Sequence, residues 1–323
     1  MDGFPNPSVQ AWLDRRTFYG CERSLDDLMQ LKTDGELTVG VCLPALNEAG
    51  TIGDICRAIG SALVAPGFVD ELVVMDSGST DETGALAAEA GATVLVSSEV
   101  LSQAGTLEAP GKGESLWKSL AVMTTDIVVW LDSDTRNFGS HFVTALVEPL
   151  LAHDDLVFTK AFYDRPIDSG DEVLPMGGAR VTEIAVRPLI NLLCPNLVGF
   201  IQPLSGEFAG RHDALSAIPF GTGYDVDLLM LIELVEKFGL DRLAQVDLGS
   251  RVHRNRDIPS LGRMSFEIVR TLLDRLDQTG RLKLAEHLPD TLIQFSDSSG
   301  SRKIEEFVSR PPLRPPMATV IGS

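Results

Sequence analysis

The sequence predicts an α/β fold in which helices flank a Rossmann-like, mostly parallel sheet. Apolar runs at residues 38–43, 71–75 and 92–96 each suit a buried strand, and polar turns and helical patterns separate them. This repetition of strand, turn and helix predicts right-handed crossovers between parallel strands. The 323 residues, of which 44% are hydrophobic, are enough to bury a large core.

The most informative stretch reads DIVVWLDSD, from Asp126 to Asp134. Residues 127–131 suit a strand buried on both faces, and Asp132, Ser133 and Asp134 follow at its carboxyl end. Ligands of open α/β sheets bind at that edge. Carboxylates there would hold a hard divalent cation, which in turn would hold a diphosphate. The alternative is an acidic strand-to-loop turn with solvated side chains.

Charge and cysteine content limit the classes of function. The net charge of −19 argues against a nucleic-acid binder, because clustered lysines and arginines bind phosphate backbones. Anionic small substrates stay compatible if a metal or local cations concentrate positive charge. The 4 cysteines lack metal-binding spacing, which favours free thiols in a reducing cytoplasm. We expect neither a signal peptide nor a membrane span, since the apolar region 184–204 is interrupted by polar residues and prolines.

Three polar segments offer cationic groups to an anionic ligand. Lys112 lies between two glycines just before a helical pattern, and Arg180 follows glycines at a predicted helix start. Residues 251–256 form the densest basic cluster of the chain and contain His253, a possible metal ligand. Each segment has an alternative: a solvent-exposed lysine in a turn, an ordinary glycine-rich helix entry, or a core or surface histidine.

A family resemblance emerges from the order of eight motifs: PALNE, DSGSTD, PGKGESLW, LDSD, GGARVTE, QPLSGEF, GYDVD and RVHRNR. Over residues 38–275 the chain resembles the retaining glucosyl-3-phosphoglycerate synthases of actinobacteria, with the mannosyl-3-phosphoglycerate synthases as close siblings. The resemblance implies a GT-A fold and a homodimer. It also implies transfer of glucose from UDP-glucose to the 2-hydroxyl of 3-phospho-D-glycerate, dependent on Mg²⁺ or Mn²⁺.

The same resemblance implies roles for individual residues. Asp134 and His253 would ligate the metal. The implied donor-binding residues are Pro44, Ala45, Leu46, Asn47, Glu48, Ser77, Lys112, Asp132, Ser133, Leu204, Tyr224, Asp227 and Arg251. The implied acceptor-binding residues are Ala179, Arg180, Val181, Thr182 and Asn255. Asp227, Arg180 and Thr182 are the predicted catalytic residues, and Asp227 is assigned to sugar positioning before any role as a nucleophile.

The predicted organisation has four parts. They are an N-terminal extension (1–37), a nucleotide-sugar-binding half (38–150), an acceptor-binding half (151–290) and a flexible C-terminal tail (291–323). The tail is predicted because the chain becomes polar and then rich in proline beyond residue 290.

Two positions depart from the family pattern, which usually has Glu at Asp227 and Gly at Ala179. The shorter aspartate withdraws its carboxylate by on the order of 1.5 Å, which bears on the preferred sugar. These departures leave open a mannosyl-3-phosphoglycerate synthase using GDP-mannose, or a nucleotide-sugar-binding protein without turnover. A further alternative is an inverting transferase acting on polyprenyl phosphate, which shares motifs like PALNE, DSGSTD and DSD.

Overall fold

The computed structural model describes residues 7–102, 111–164, 167–168, 173–174, 179–252, 257–298 and 301–321. Within these residues the strands are β1 (Thr17–Tyr19), β2 (Val39–Ala45), β3 (Glu71–Asp76), β4 (Thr93–Val96), β5 (Ile127–Trp130), β6 (Phe158–Asp164), β7 (Ile167–Asp168), β8 (Val173–Leu174), β9 (Phe208–Arg211), β10 (Phe220–Gly221), β11 (Leu243–Ser250), β12 (Thr291–Ser298), β13 (Ser301–Val308) and β14 (Leu313–Arg314).

The α-helices of the same residues are α1 (Pro7–Arg16), α2 (Leu25–Asp34), α3 (Ile52–Ile59), α4 (Thr83–Glu89), α5 (Lys112–Val122), α6 (His141–Ala152), α7 (Arg187–Leu193), α8 (His212–Ser216), α9 (Val226–Phe238), α10 (Ile258–Gln278) and α11 (Met317–Ile321). A π-helical turn, Gly60–Val64, continues α3, and another, Thr182–Val186, leads into α7. Short 3₁₀ turns are found at Pro195–Leu197 and Leu240–Arg242. None of the described helices combines the length and apolar character that a membrane crossing needs.

An eight-stranded sheet forms the centre of the molecule, in the order β1-β11-β6-β9-β5-β2-β3-β4. Strand β9 runs antiparallel to both neighbours, β5 and β6, whereas the other pairs in the sheet are parallel. The prediction of a mostly parallel sheet is thus confirmed.

The sheet has an apolar core on each face. Strand β5 contributes Val128 and Trp130 to one core, and Ile127 and Val129 to the other. Successive side chains of a strand point to opposite faces, so a strand covered on both sides is apolar throughout. Helix α6 supplies much of the second core. Because both faces of β5 are covered, acidic residues appear only where the strand ends.

Strand pairing brings several loops to one edge of the sheet. Ala45, at the end of β2, lies opposite Asp76, at the end of β3, and Cys42 of β2 lies opposite Trp130 of β5. Because β9 is antiparallel, it begins where β5 ends, with Phe208 opposite Trp130. The loop before β9 therefore joins the loops that follow β2, β3 and β5.

The two ends of the chain pack onto this core. Within the predicted N-terminal extension, β1 pairs with β11 at the edge of the sheet, and Trp12 of α1 is buried. The prediction of a flexible tail is wrong for the residues described beyond 290. Strands β12 and β13 form a hairpin, and β14 pairs with β10. Arg314 and Met317 are buried because this segment binds the core rather than solvent. The boundary between the two predicted halves stays a prediction.

Candidate active site

Hydrogen bonds connect the strand ends on the β2 side of the sheet edge. The Ser133 hydroxyl donates to the carbonyl of Pro44 at 2.8 Å, and the Ser77 amide donates to the carbonyl of Ala45 at 2.9 Å. The Ser77 and Ser115 hydroxyls lie 2.9 Å apart, which ties the β3 loop to α5. Predicted donor-binding residues from three separate motifs therefore form one connected surface.

The loop after β2 has a fixed backbone. Asn47 adopts a φ of 57°, a left-handed conformation that asparagine tolerates better than most residues. Its side-chain oxygen accepts from the Thr80 amide at 2.9 Å, and the Glu48 amide donates to the Thr83 hydroxyl at 2.8 Å. These contacts leave Leu46 exposed at the tip of the loop.

One buried arginine connects the acidic loops of the edge. Arg251 Nη2 lies 2.7 Å from Asp134 Oδ1 and 3.1 Å from Asp132 Oδ2, while its Nε lies 2.9 Å from Glu207 Oε1. Arg251 is 2% exposed, whereas the Asp132 and Asp134 side chains are 26% and 27% exposed. We call Arg251 with these three carboxylates the arginine cluster. Asp132 and Asp134 are thus partly accessible, whereas Arg251 and Glu207 lie behind them in the protein interior.

Neutral groups complete the arginine cluster. Arg251 donates to the Thr135 hydroxyl at 3.0 Å and to Tyr163 Oη at 3.1 Å, and Tyr163 in turn donates to Glu207 Oε2 at 2.6 Å. The neighbouring Gly206 permits this packing, because a Cβ atom there would lie 2.1 Å from Asp132 Oδ2. Glycine is thus the residue type that lets the β9 loop approach Asp132.

Two lysines converge on Asp227 in the first turn of α9. Lys112 Nζ lies 2.8 Å from Asp132 Oδ1 and 3.4 Å from Asp227 Oδ1. Lys160 Nζ lies 3.8 Å from the same Asp227 Oδ1. We call Lys112 and Lys160 the lysine pair. Since Lys112 also contacts Asp132, it joins the lysine pair to the arginine cluster in one continuous charged site.

The charged surroundings shift the pKa values of the cations in different directions. Burial disfavours the charged form of Lys112, but the Asp132 and Asp227 carboxylates outweigh it and raise the Lys112 pKa above its ordinary value. For Lys160, burial dominates over the attraction of Asp227 and lowers the pKa to about 8. Burial likewise opposes the charge of Arg251, yet Glu207 and the other acidic neighbours raise the Arg251 pKa.

The remaining predicted site residues lie in three segments. Tyr224 is 42% exposed and its amide donates to Glu267, while Leu204 packs against the core. Ala179 and Arg180 are partly buried, whereas Val181 and Thr182 are buried as the chain enters its helical segment. His253 and Asn255 lie outside the described residues. The individual roles of all these residues stay predictions.

Glu207, Tyr163 and Lys160 are among the site residues that are absent from the sequence-based assignment. Glu207 is 1% exposed and Lys160 is also 1% exposed, an unusual burial for charged side chains. Lys160 had a signal in the sequence, because it interrupts the apolar run of β6 on the face that also carries the buried Phe158. A charge at such a position needs a buried partner.

Comparisons with known proteins agree with this architecture. The model of the family described as Glycosyl transferase family 2 matches residues 40–205. A glucosyl-3-phosphoglycerate synthase of Petrotoga mobilis is 41% identical over 308 residues, which cover 95% of this chain and 94% of that protein. The protein of the same name from Mycobacterium tuberculosis is 43% identical over 282 residues, covering 86% and 85%.

Solved structures show the same similarity in three dimensions. Mannosyl-3-phosphoglycerate synthase from Rubrobacter xylanophilus aligns with a TM-score of 0.88 at 35% identity, covering 96% of this chain and 99% of that one. Glucosyl-3-phosphoglycerate synthase from Mycobacterium tuberculosis, crystallised with Mn²⁺, UDP-glucose and phosphoglyceric acid, aligns with a TM-score of 0.80 at 38% identity, covering 94% and 98%. The predicted GT-A fold is confirmed, and the chain belongs to the glucosyl-3-phosphoglycerate synthases within glycosyl transferase family 2.

Proposed function

We propose that this chain transfers glucose from UDP-glucose to the 2-hydroxyl of 3-phospho-D-glycerate, with retention of configuration and with Mg²⁺ or Mn²⁺. The observation that carries the proposal is the convergence of Lys112 and Arg251 on the carboxylates Asp132, Asp134 and Asp227 at the carboxyl edge of the sheet. A strongly acidic chain needs such local cations to bring two anionic substrates together.

The residues present fit a hard divalent cation. Asp134 offers a partly exposed carboxylate at the cleft, and oxygen ligands suit Mg²⁺ and Mn²⁺. No group of three or more potential His, Cys, Asp or Glu ligands occurs among the described residues. We assign the ion to Asp134 and His253 together with substrate diphosphate oxygens, because Mg²⁺ sites commonly combine few protein ligands with substrate phosphates. Val252, next to His253 in the sequence, accepts from the Arg136 amide at 3.1 Å, which supports the pairing with Asp134.

The bound cation would neutralise charge that develops on the departing diphosphate. Arg251 and Lys112 would do the same from the protein side, because both are cationic groups preorganised next to the leaving group. The bond between the sugar C1 and the diphosphate breaks, and a new bond forms from C1 to the acceptor oxygen on the same face. The hydroxyl proton passes to a diphosphate oxygen. Asp227 and Tyr224 would hold the sugar, with Leu204 on its acceptor side.

The acceptor carries a phosphate and a carboxylate, which require donors. Arg180 supplies a guanidinium at the start of a helical segment, where backbone amides also favour an anion. We assign the phosphoglycerate to Ala179, Arg180, Val181 and Thr182 together with Asn255. The Arg180→Met variant should raise the KM for 3-phosphoglycerate at least tenfold, because a charge-assisted bond is worth about 1.5–3 kcal/mol.

Turnover tests the proposal directly. UDP release is measured with UDP-glucose, 3-phosphoglycerate and Mg²⁺ or Mn²⁺, and NMR of the product decides the anomeric configuration. Asp134→Ala should abolish metal-dependent turnover in a folded protein. Asp241→Ala is the matched control, because Asp241 is an exposed aspartate paired with Arg15 outside the site. Lack of turnover with every UDP-, GDP- and ADP-hexose overturns the proposal.

A mannosyl donor is the second candidate, favoured by the similarity to the Rubrobacter xylanophilus mannosyl-3-phosphoglycerate synthase. Asp227, which is shorter than the usual glutamate, is the residue on which the choice would depend. A donor screen compares kcat/KM for UDP-glucose and GDP-mannose in the wild type and in Asp227→Glu. A higher value for GDP-mannose in the wild type would replace glucose by mannose in the proposed reaction.

We also propose a homodimer, for which the outer face of the β12–β13 hairpin provides support. Ile293, Phe295, Ile304 and Val308 share this face and are 46%, 67%, 67% and 64% exposed, with Glu306 as the one charged residue among them. Exposed apolar groups of this kind are found at subunit interfaces. Phe295→Glu should convert a dimer to a monomer in sedimentation. Lys303→Glu, on the opposite face of the hairpin, is the control. A monomeric wild type contradicts the dimer.

The cytoplasm is the proposed location. Cys21, Cys42, Cys56 and Cys194 are free thiols, which are typical of a reducing compartment. Fractionation of the host cell checks this, and recovery of the protein in an extracytoplasmic fraction would contradict it.

A further inference from the structure

Lys160 is a buried cation without an assigned role in the reaction. It lies in the middle of β6, opposite Phe208 of β9 and Gln245 of β11, with its ammonium 4.5 Å from the centre of the Phe208 ring. Removal of an ammonium from water costs several kcal/mol unless partners compensate for it. An apolar residue would fit this strand better, so the partners of Lys160 indicate why a lysine is there.

Asp227 is the acidic partner within reach. Lys160 Nζ donates to the Asp227 carbonyl at 3.5 Å and lies 3.8 Å from Asp227 Oδ1. One ammonium therefore contacts both the main chain and the carboxylate of the same residue. Such a pair of contacts limits rotation of the Asp227 side chain at the start of α9.

The two members of the lysine pair differ in their access to a ligand. The Lys112 side chain is 17% exposed at the cleft and already divides its charge between Asp132 and Asp227. Lys160 is 1% exposed and lies behind Asp227. An anionic nucleotide sugar that enters the cleft competes for Lys112 but has no route to Lys160. The contact of Lys160 with Asp227 therefore persists when a ligand draws Lys112 away.

We propose that Lys160 is a positioning residue that holds the Asp227 carboxylate at the transferred sugar throughout the reaction. The inference rests on the proposed function. It adds to that function a side chain that touches neither substrate but fixes the position of the carboxylate that binds the sugar. Burial lowers the Lys160 pKa to about 8, so the ammonium keeps its charge at neutral pH and loses it in mildly alkaline solution.

The Lys160→Met variant tests the role, because methionine retains an unbranched apolar side chain and removes the charge. We expect kcat to fall roughly 10- to 100-fold, since a small misplacement of a substrate-positioning group has effects of that size. Calorimetric affinity for UDP with Mn²⁺ and the KM for 3-phosphoglycerate should stay within about twofold, because Lys160 touches neither ligand. Lys118→Met is the matched control: Lys118 is 2% exposed and pairs with Glu114 and the Ser97 carbonyl.

Two further readouts separate positioning from a merely structural role. In a cycle with Asp227→Asn, the double variant should lose little more kcat than Asp227→Asn alone, because both changes remove one interaction. Wild-type kcat should also decline above about pH 8, and Lys160→Met should lack this decline. The charged groups that influence this titration are Asp227 on α9, Lys112 on α5, and Glu207 and Asp132 on the adjoining loops.

Each outcome decides a separate question. Wild-type turnover with kcat unchanged in Lys160→Met overturns the inference and leaves the proposed function intact. Additive losses in the cycle overturn it as well. Absence of any wild-type turnover overturns the proposed function and this inference with it. If Lys160→Met fails to fold, Lys160→Gln and the wild-type pH profile provide the decision.

Discussion

The arginine cluster and the lysine pair lie next to each other but handle charge differently. Arg251 spreads one guanidinium over Asp132, Asp134 and Glu207, which belong to two separate loops. In the lysine pair two ammonium groups share one oxygen of Asp227, and Lys112 also contacts Asp132 at 2.8 Å. A planar guanidinium offers several fixed donors, whereas an ammonium acts as a compact charge.

This difference has a consequence for pH. The pKa of Arg251 is held above an already high value, so the arginine cluster keeps its charge across the working range of an enzyme. The pKa of Lys160 lies at about 8 and that of Lys112 is raised, so the lysine pair has members of unlike charge above pH 8. Fixed charge therefore lies with Asp132, Asp134 and Glu207, whereas a charge that titrates near neutral pH lies behind Asp227.

Removal of the central cation should break the arginine cluster. Arg251→Met leaves three carboxylates near one another without their shared partner, and Glu207 among them is buried. We expect unfolding free energy to fall by about 4–5 kcal/mol, the upper range for a broken buried ion pair. Turnover should fall at least 100-fold as the loops lose their arrangement.

Denaturant unfolding and steady-state kinetics measure these effects. Arg251→Lys should not restore turnover, because an ammonium cannot reproduce the fork of contacts. Arg275→Met is the control, since Arg275 pairs with Glu233 on the far side of α9. Wild-type-like kinetics in Arg251→Met would show that the cleft is organised without this arginine.

The sequence predicted the acids of the arginine cluster better than it predicted the groups that hold them. Asp132 and Asp134 stand where an apolar strand stops, a local pattern that periodicity reveals. Glu207 and Tyr163 contact Arg251 across 44 and 88 residues of chain, and pairings at such separations leave no local pattern. Lys160 was missed because a single charge in an apolar run has no partner visible in the sequence.

The ends of the chain follow the same rule. The proline-rich segment beyond residue 290 predicts a mobile tail, yet Arg314 forms two contacts with Glu114, at 2.7 and 2.9 Å, and Trp117 donates to the Pro315 carbonyl. Residues 282–287 follow α10 as a series of bends, and Asp277 accepts from the Leu284 amide. By contrast, Ser24 forms a capping box with Asp27 at the start of α2, a signal that lies entirely in neighbouring residues.

Asp225 offers a contrast, since no cation among the described residues pairs with its carboxylate. Asp225, two residues before Asp227, is buried, and burial together with the nearby Glu267 raises its pKa to about 7. The folded state therefore binds a proton that the unfolded state releases between about pH 4 and pH 7. Stability contributed by protonated Asp225 is present at low pH and is lost as pH rises, by about 3 kcal/mol over this interval.

Asp225→Asn should remove this pH dependence, since asparagine stays neutral and can still accept from the Gly223 amide. Urea unfolding of both proteins between pH 4 and pH 7 gives the difference. Asp257→Asn is a control of opposite sign, because the bond from Ser260 lowers the Asp257 pKa and makes its contribution grow as pH rises. Parallel curves for wild type and Asp225→Asn would contradict the assignment.

The smallest expected effect on stability and turnover comes from an uncharged residue that contacts the arginine cluster, Tyr163. Tyr163→Phe removes a hydroxyl that donates to Glu207 and accepts from Arg251, while the remaining contacts of Arg251 with Asp132, Asp134 and Thr135 persist. We expect a loss of about 1–2 kcal/mol in unfolding free energy. Turnover should decline less than about fivefold, because the guanidinium keeps its charge and most of its fork.

Urea unfolding and kcat/KM for both substrates measure this change, with Tyr19→Phe as the control because Tyr19 is 70% exposed. A loss as large as that of Arg251→Met would mean that the phenol, rather than the spread of the guanidinium over several acceptors, fixes the position of the arginine. The two regions would then differ in the neutral groups that hold their cations, and not in whether the cation is an arginine or a lysine. A small loss of turnover in Tyr163→Phe and a large one in Lys160→Met would separate the two regions. Arg251 would then keep its position through several alternative contacts, whereas the lysine pair would depend on a single one.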